Sequence, residues 1–301
     1  MSLYNRLKHL YDRRWTQYTR TGKVALCCIA KMENDYLRFF VEYYQHLHVD
    51  KIFLYDNNDP DGERFDDVIG DFIQSGFVEV TDFRGKKVAQ LEAYHDCYVK
   101  HQAQYSWMAF FDCDEFLTFA DGSSDIHAFL MKIKFWNYQV MHVNWKIYGD
   151  NDLLDNDGRS VVERFKNPVL PYDFIPKGSE IPENNHVKSI IRGGLSWVNW
   201  SAAPNPHTIS SDFYHCCNPK GERVDLNSPF MDFDDRILFL RHYNTKTVGE
   251  WVRNKMRRGV PDRSADQWQQ VLNLDFFFRF NERTKEKVQY AEKLLKEIRH
   301  E

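Results

Sequence analysis

The feature that most constrains this 301-residue chain is an alternation, across its first half, of short apolar runs with amphipathic stretches. Val24 to Ala30 is continuously apolar and reads as a buried strand. From Glu33 to Val49, Tyr36, Phe39, Phe40, Tyr43 and Leu47 fall on one helical face. Lys51 to Tyr55 repeats the strand pattern and ends in the turn-rich Asp56-Asn57-Asn58-Asp59-Pro60-Asp61-Gly62. A helix over 65–74, a strand over 77–82, a helix over 88–103 and a strand over 107–111 follow. A short helix over 125–132 and a strand over 139–146 complete the series. Strands alternating with helices predict a mostly parallel α/β sheet, helices on both faces and right-handed crossovers. Ligands of such sheets bind beyond the carboxyl ends of the strands. Asp56 and Asp112 both end strands, so they face one crevice.

The second half is less regular. Residues 151–160 and 167–183 are rich in Asp, Asn, Pro and Gly and read as loops. Strands over 187–191 and 237–240, a helix over 247–256 and a charged terminal helix over 284–299 are expected. The first 22 residues interleave Leu3, Leu7, Leu10, Tyr11 and Trp15 with Lys8, Arg13 and Arg14. That spacing fits an amphipathic helix, either packed on the domain or lying at a membrane surface. Three segments are therefore expected: 1–22, a main domain over 23–260, and a helical appendage over 261–301.

Composition narrows the function classes. A net charge of -4 argues against nucleic acid as a partner, because phosphate backbones attract a basic field. The six cysteines form no Cys-x-x-Cys pair. With no signal peptide apparent, a reducing cytoplasm is the expected setting. No apolar run reaches the roughly 18–20 residues that span a bilayer. If the chain acts at a membrane, it would dock peripherally at the inner face.

Phe110-Phe111-Asp112-Cys113-Asp114-Glu115-Phe116-Leu117 carries the sharpest chemistry. Three carboxylates directly follow an apolar strand, and burying them without a cation is costly. Mn²⁺ or Mg²⁺ would offset that cost, since both favour carboxylate and phosphate oxygens.

With these residues in view, the chain resembles the bacterial relatives of glycosyltransferase family 92, close to family 2, which have the GT-A nucleotide-diphospho-sugar transferase fold, a Rossmann-like sheet. The similar segments are Ala30-Lys31-Met32-Glu33-Asn34, residues 55–62, residues 107–117, Asn144-Trp145-Lys146-Ile147-Tyr148-Gly149, residues 187–192, His207-Thr208, and Arg241-His242-Tyr243-Asn244-Thr245-Lys246-Thr247. They run from about residue 23 to 260. The resemblance implies a nucleotide-sugar donor, UDP-linked, and a glycan or glycolipid acceptor. It implies that Asp56 contacts uracil or ribose, that Lys31 and Glu33 line the nucleotide slot, and that Asp112 and Asp114 hold metal and diphosphate. It further implies His242 as a metal ligand, with His207 as the rival, and Lys246 as a phosphate contact. A neutral imidazole suits Mn²⁺, and a lysine is a compact phosphate partner.

The implied transfer is inverting, with a carboxylate deprotonating the acceptor hydroxyl. Asp150 and Asp152, in the loop after the acceptor-side strand, are the expected bases; Glu115 and Glu163 remain alternatives. Trp145 and Trp197 are candidates for stacking on a sugar face. Two rival readings stand beside this one. A nucleotidyltransferase would use similar carboxylates but usually a Gly-rich loop after the first strand, where this chain has Lys31-Met32-Glu33. A non-catalytic sugar-binding scaffold would not need the intact acidic cluster.

Overall fold

The computed structural model describes residues 21–176, 179–195, 214–226, 228–259, 264 and 272–298. The amphipathic segment expected at the start of the chain, Trp197 and His207 lie outside these residues.

The expected alternation is present: β1 (Val24–Ala30), α1 (Asn34–His46), β2 (Lys51–Asp56), α2 (Asp66–Gln74), β3 (Val78–Asp82), α3 (Gln90–His101) and β4 (Trp107–Phe110). These four strands pair in parallel in the order β3-β2-β1-β4. All seven residues of β1 are buried, as a strand flanked on both edges and covered on both faces must be. Helix α1 turns Tyr36, Leu37, Phe40, Val41 and Tyr44 onto the sheet. Burying a side chain such as Phe40 contributes about 1.5–3 kcal/mol.

Beyond β4 the sheet becomes mixed. A strand over Glu115–Phe119 (β5) directly follows the acidic cluster, where sequence periodicity gives no warning of one. After the short helix α4 (Ile126–Leu130) comes β6 (Val140–Ile147). The four-residue α5 (Val161–Arg164) lies between the two loops expected over 151–160 and 167–183, and β7 (Val187–Arg192) follows. Next are the two-residue strands β8 (Cys216–Cys217) and β9 (Arg223–Val224), then β10 (Leu238–His242). Strand β7 runs antiparallel between β4 and β6; β10 is parallel to β6 and antiparallel to β5. The start of β7 therefore lies at the carboxyl end of β4.

Gly193, at the exit of β7, allows this arrangement. A Cβ there would meet the Tyr105 carbonyl oxygen at 1.9 Å and that of Gln102 at 2.4 Å. No side chain fits so close to backbone.

After β10 the chain forms Val248–Glu250, a π-helical turn over Trp251–Lys255, and Met256–Arg258, one continuous helical stretch termed α6. It is tied to α5 by a buried ion pair and to α1 by a hydroxyl. Arg164 donates Nη1 to Glu250 Oε2 at 2.9 Å and Nη2 to Oε1 at 2.7 Å, while the Tyr36 hydroxyl donates to Oε1 at 2.9 Å. Helices α7 (Leu274–Phe277) and α8 (Lys285–Ile298) pack on α6 through Val248, Trp251, Val252, Phe277, Ala291 and Leu294. The terminal segment thus shares a small core with the element that follows β10.

Candidate active site

The parallel strands β1, β2 and β4 all end on one side of the sheet, and the strand order reverses between β1 and β4. That is where α/β sheets open a ligand crevice. Two buried thiols, Cys28 and Cys113, meet across the switch point with their Sγ atoms 3.3 Å apart. Burial pushes the Cys28 thiol well up, so this pair packs as small apolar groups rather than as nucleophiles.

Asp114 is 4% exposed, in the turn between β4 and β5. Its Oδ2 accepts from Lys255 Nζ at 2.9 Å, and its Oδ1 lies 3.6 Å from His242 Nε2. Burial raises the Asp114 pKa, but Lys255, His242 and Lys246 outweigh it and hold the carboxyl well below its usual range. His242 ends β10, opposite Glu115 across the β5–β10 pairing. Burial lowers its pKa, which favours the neutral imidazole that a metal requires.

Asp112 faces elsewhere. Its Oδ1 accepts from Gln90 Nε2 at 3.1 Å and from the Tyr94 hydroxyl at 3.0 Å. Its Oδ2 accepts from Lys188 Nζ at 2.7 Å. The expected trio of Asp112, Asp114 and His242 is therefore gathered only as a pair, because β7 inserts Lys188 beside Asp112. Among the described residues no group of three His, Cys, Asp or Glu side chains is assembled to hold a metal. Asp114 and His242 nevertheless fit a site of the kind that takes one or two protein ligands and completes its shell with water and substrate phosphate.

Glu115 is fully buried. Oε1 accepts from Trp145 Nε1 at 2.6 Å, Oε2 accepts from the Asp112 amide at 2.9 Å, and Lys188 lies 3.5 Å from Oε2. Burial pushes its pKa up to about 8 against the pull of Lys188. These contacts make Glu115 a brace beneath the acidic turn.

A second carboxylate–cation group lies where β1 ends. Glu33 Oε1 accepts from Arg258 Nη1, and Lys246 Nζ stands 3.8 Å from Oε2. Lys246 is 6% exposed, its ammonium is 4.1 Å from the centre of the Tyr36 ring, and its φ is 52°. Met32, beside Glu33, has φ 51°. Left-handed backbone in two side-chain-bearing residues costs of order 1–3 kcal/mol each and clusters at functional sites. Burial lowers the Lys246 pKa, against Glu33 and Asp114.

At the end of β2, Asp56 Oδ1 accepts from the Asn58 amide and side chain, and Oδ2 accepts from Arg84 Nε at 2.9 Å. Lys31 bonds Asp59 at 2.7 Å rather than Glu33. Asp56, Lys31 and Glu33 thus lie along one edge formed by the ends of β1 and β2.

The expected bases lie apart from this chemistry in their contacts. Lys287 of α8 stands 2.7 Å from Asp150 Oδ2 and donates to Asp152 Oδ1 at 2.9 Å. Asn281 Oδ1 accepts from the Asp150 amide at 2.7 Å. Glu163 is the reciprocal cap of α5, bonded to Ser160. Trp145 stacks 4.8 Å from the His186 ring and 4.1 Å from the His242 ring, so protein rings already flank it.

Sequence reasoning gave no role to Lys188, Lys255, Arg258, Arg84, Gln90 or Tyr94. Lys188 had a signal: a lysine inside the apolar run Val187 to Ile191 must find a buried partner. Lys255 and Arg258 lie in the basic run Lys255-Met256-Arg257-Arg258 that closes α6.

Residues 23–167 match the pattern of the family described as Glycosyltransferase family 92. A glycosyltransferase family 92 protein of Oryza sativa subsp. japonica is 26% identical over 110 residues, which are 36% of this chain and 18% of that protein. The chain therefore spans less than a fifth of the curated relative it matches. Among solved structures, S. aureus TarS 1–349 in complex with UDP-GlcNAc is similar over 91% of this chain and 71% of that one, with 12% identity and a TM-score of 0.41. TarS 1–349 alone is similar over 85% and 71%, with 12% identity and a TM-score of 0.37. Among the described residues, no helix is long and apolar enough to cross a membrane.

Proposed function

We propose that this chain, whose resemblance to glycosyltransferase family 92 holds over residues 23–167, is a glycosyltransferase. Its donor is a hexose on a nucleoside diphosphate, UDP in our reading. Its acceptor is a glycan or glycolipid, reached in the cytoplasm or by peripheral docking at the inner membrane face.

The observation that carries this reading is the pairing of Asp114 with His242, 3.6 Å apart, beside Lys246 and Lys255 at the switch point of the sheet. Carboxylate, imidazole and ammonium groups around one position suit a diphosphate and its counter-ion. Asp114 and His242 would hold Mn²⁺ or Mg²⁺. When bound, the ion stabilises negative charge on the leaving diphosphate. Lys246 and Lys255 add fixed positive charge where that group departs. Lys188 neutralises Asp112 and packs beside Glu115, so the turn that presents Asp114 stays ordered. Asp56 and Arg84 orient the β2 edge toward the nucleoside. The acceptor hydroxyl attacks opposite the leaving group, which inverts the anomeric centre.

One observation supports a second reading. Lys188 and Lys255 already neutralise Asp112 and Asp114. A transferase whose own cations replace the metal would look like this. Calorimetric titration with UDP, with and without Mn²⁺, separates the two. Metal-linked binding supports the first reading; equal binding in excess chelator supports the second. No binding in either condition overturns both and favours a scaffold.

A further inference from the structure

Resting on the transferase reading, the structure points to a base other than the ones spacing suggests: we infer that Glu183 accepts the proton of the attacking acceptor hydroxyl.

Glu183 begins the 3-10 turn Glu183–Asn185, four residues before β7. Because β7 runs antiparallel to β4, this lead-in lies at the carboxyl end of β4, the end that carries the acidic turn. Lys188, which holds Asp112, follows two residues after His186. A row of rings connects the turn to the candidate metal ligand: His242 lies against Trp145, Trp145 stacks on His186, and His186 meets Phe230 edge-on at 4.6 Å. Glu183 Oε1 stands 4.0 Å from His186 Nδ1, at the near end of that row.

The other candidate carboxylates are engaged. Asp150 and Asp152 face Lys287, Glu115 is held by Trp145 and the Asp112 amide, Glu33 by Arg258, and Asp56 by Arg84. Among the described residues, the Glu183 carboxylate accepts no hydrogen bond, and its side chain is 17% exposed. It is both reachable and unoccupied. The titratable groups facing it are His186, whose burial lowers its pKa and favours the neutral ring, and, from the segment after α7, the charged Arg279. Burial pushes its pKa up to about 7, against Arg279, which suits proton transfer near neutral pH.

In the step itself the acceptor O–H proton passes to the Glu183 carboxylate as the acceptor oxygen bonds to the anomeric carbon. The bond from that carbon to the diphosphate oxygen breaks, and its electron pair leaves with the nucleoside diphosphate. Charge and atoms balance without an additional reagent.

The test compares the wild-type chain with Glu183→Gln and Glu183→Asp. UDP affinity is measured by calorimetry. UDP release is measured from UDP-glucose and UDP-galactose, with water or free hexose as the acceptor, between pH 5 and 9. We expect UDP affinity within twofold of wild type in both variants. We expect kcat to fall about 10²–10⁴-fold in Glu183→Gln. The wild-type rate should rise through about pH 7 as the carboxylate deprotonates, and that rise should vanish in Glu183→Gln. Glu183→Asp should retain the pH dependence at a reduced rate. A Glu183→Gln enzyme within threefold of wild type, with its pH profile intact, overturns the assignment while leaving the transferase reading in place. A wild-type protein that neither binds UDP nor consumes either donor overturns the transferase reading itself.

Discussion

Lys188 Nζ lies 2.7 Å from Asp112 Oδ2, although the two residues are 76 positions apart in the chain. The same ammonium is 3.5 Å from Glu115 Oε2. One fully buried cation therefore offsets the Asp112 carboxylate and lies beside Glu115, whose pKa burial still raises to about 8.

Removing that cation leaves Asp112 without its counter-charge. Lys188→Met should destabilise the fold by about 3 kcal/mol, at the low end for a broken buried pair because Asp112 is partly hydrated. Thermal or urea unfolding at pH 7 measures it. A variant within 0.5 kcal/mol of wild type (roughly the scatter of surface substitutions) would mean that the turn does not depend on this pair.

Asp114→Ala removes the carboxylate nearest His242. It should abolish sugar transfer and the Mn²⁺-dependent part of UDP binding. Calorimetry with and without Mn²⁺ reads the second effect independently of turnover. Full activity in this variant, or in wild type with excess chelator, would end the metal mechanism.

Lys255→Ala deletes the ammonium that bonds Asp114 from α6. A charge-assisted contact to the donor phosphates is worth about 1.5–3 kcal/mol. UDP should therefore bind about 10- to 100-fold more weakly, with uridine affinity unchanged. Equal weakening for uridine would place Lys255 away from the diphosphate.

Asp150→Asn and Asp152→Asn test the two bases suggested by loop position. Asp150 is buried against Lys287, so its variant should lose about 1–3 kcal/mol of stability. The Asp152 side chain is 79% exposed, and its variant should unfold much as wild type does. Neither should slow turnover at saturating donor. A hundredfold loss of kcat in either, with UDP binding intact, would return the base to this loop.

Sequence periodicity located β1, β2, β3, β4 and their helices to within a few residues. Each is set by local spacing, which a continuous apolar run such as Val24 to Ala30 reports directly. Strand β5 was missed because Glu115 opens it: a charged residue breaks the strand signature, and only burial beneath Trp145 makes it tolerable. The acidic turn was legible as a cluster of carboxylates at a strand end. Its division of labour was not. Asp112, Asp114 and Glu115 are consecutive or nearly so, yet Asp114 turns to Lys255 and His242 while Asp112 and Glu115 share Lys188.

The sequence alone determined the strand–helix alternation, the strand-end position of Asp112 and Asp114, and the similarity that the match over 23–167 bears out. Only the tertiary structure decided which cation meets which carboxylate. Those pairings depend on β7 entering antiparallel beside β4, on α6 folding back over β1, and on α8 reaching the loop after β6. Strand order and helix docking join residues far apart in the chain, and a charge carries no local mark of its partner. For that reason the partners of Lys188 and Lys287 became visible only in the folded protein, the one holding the acidic turn and the other occupying Asp150 and Asp152.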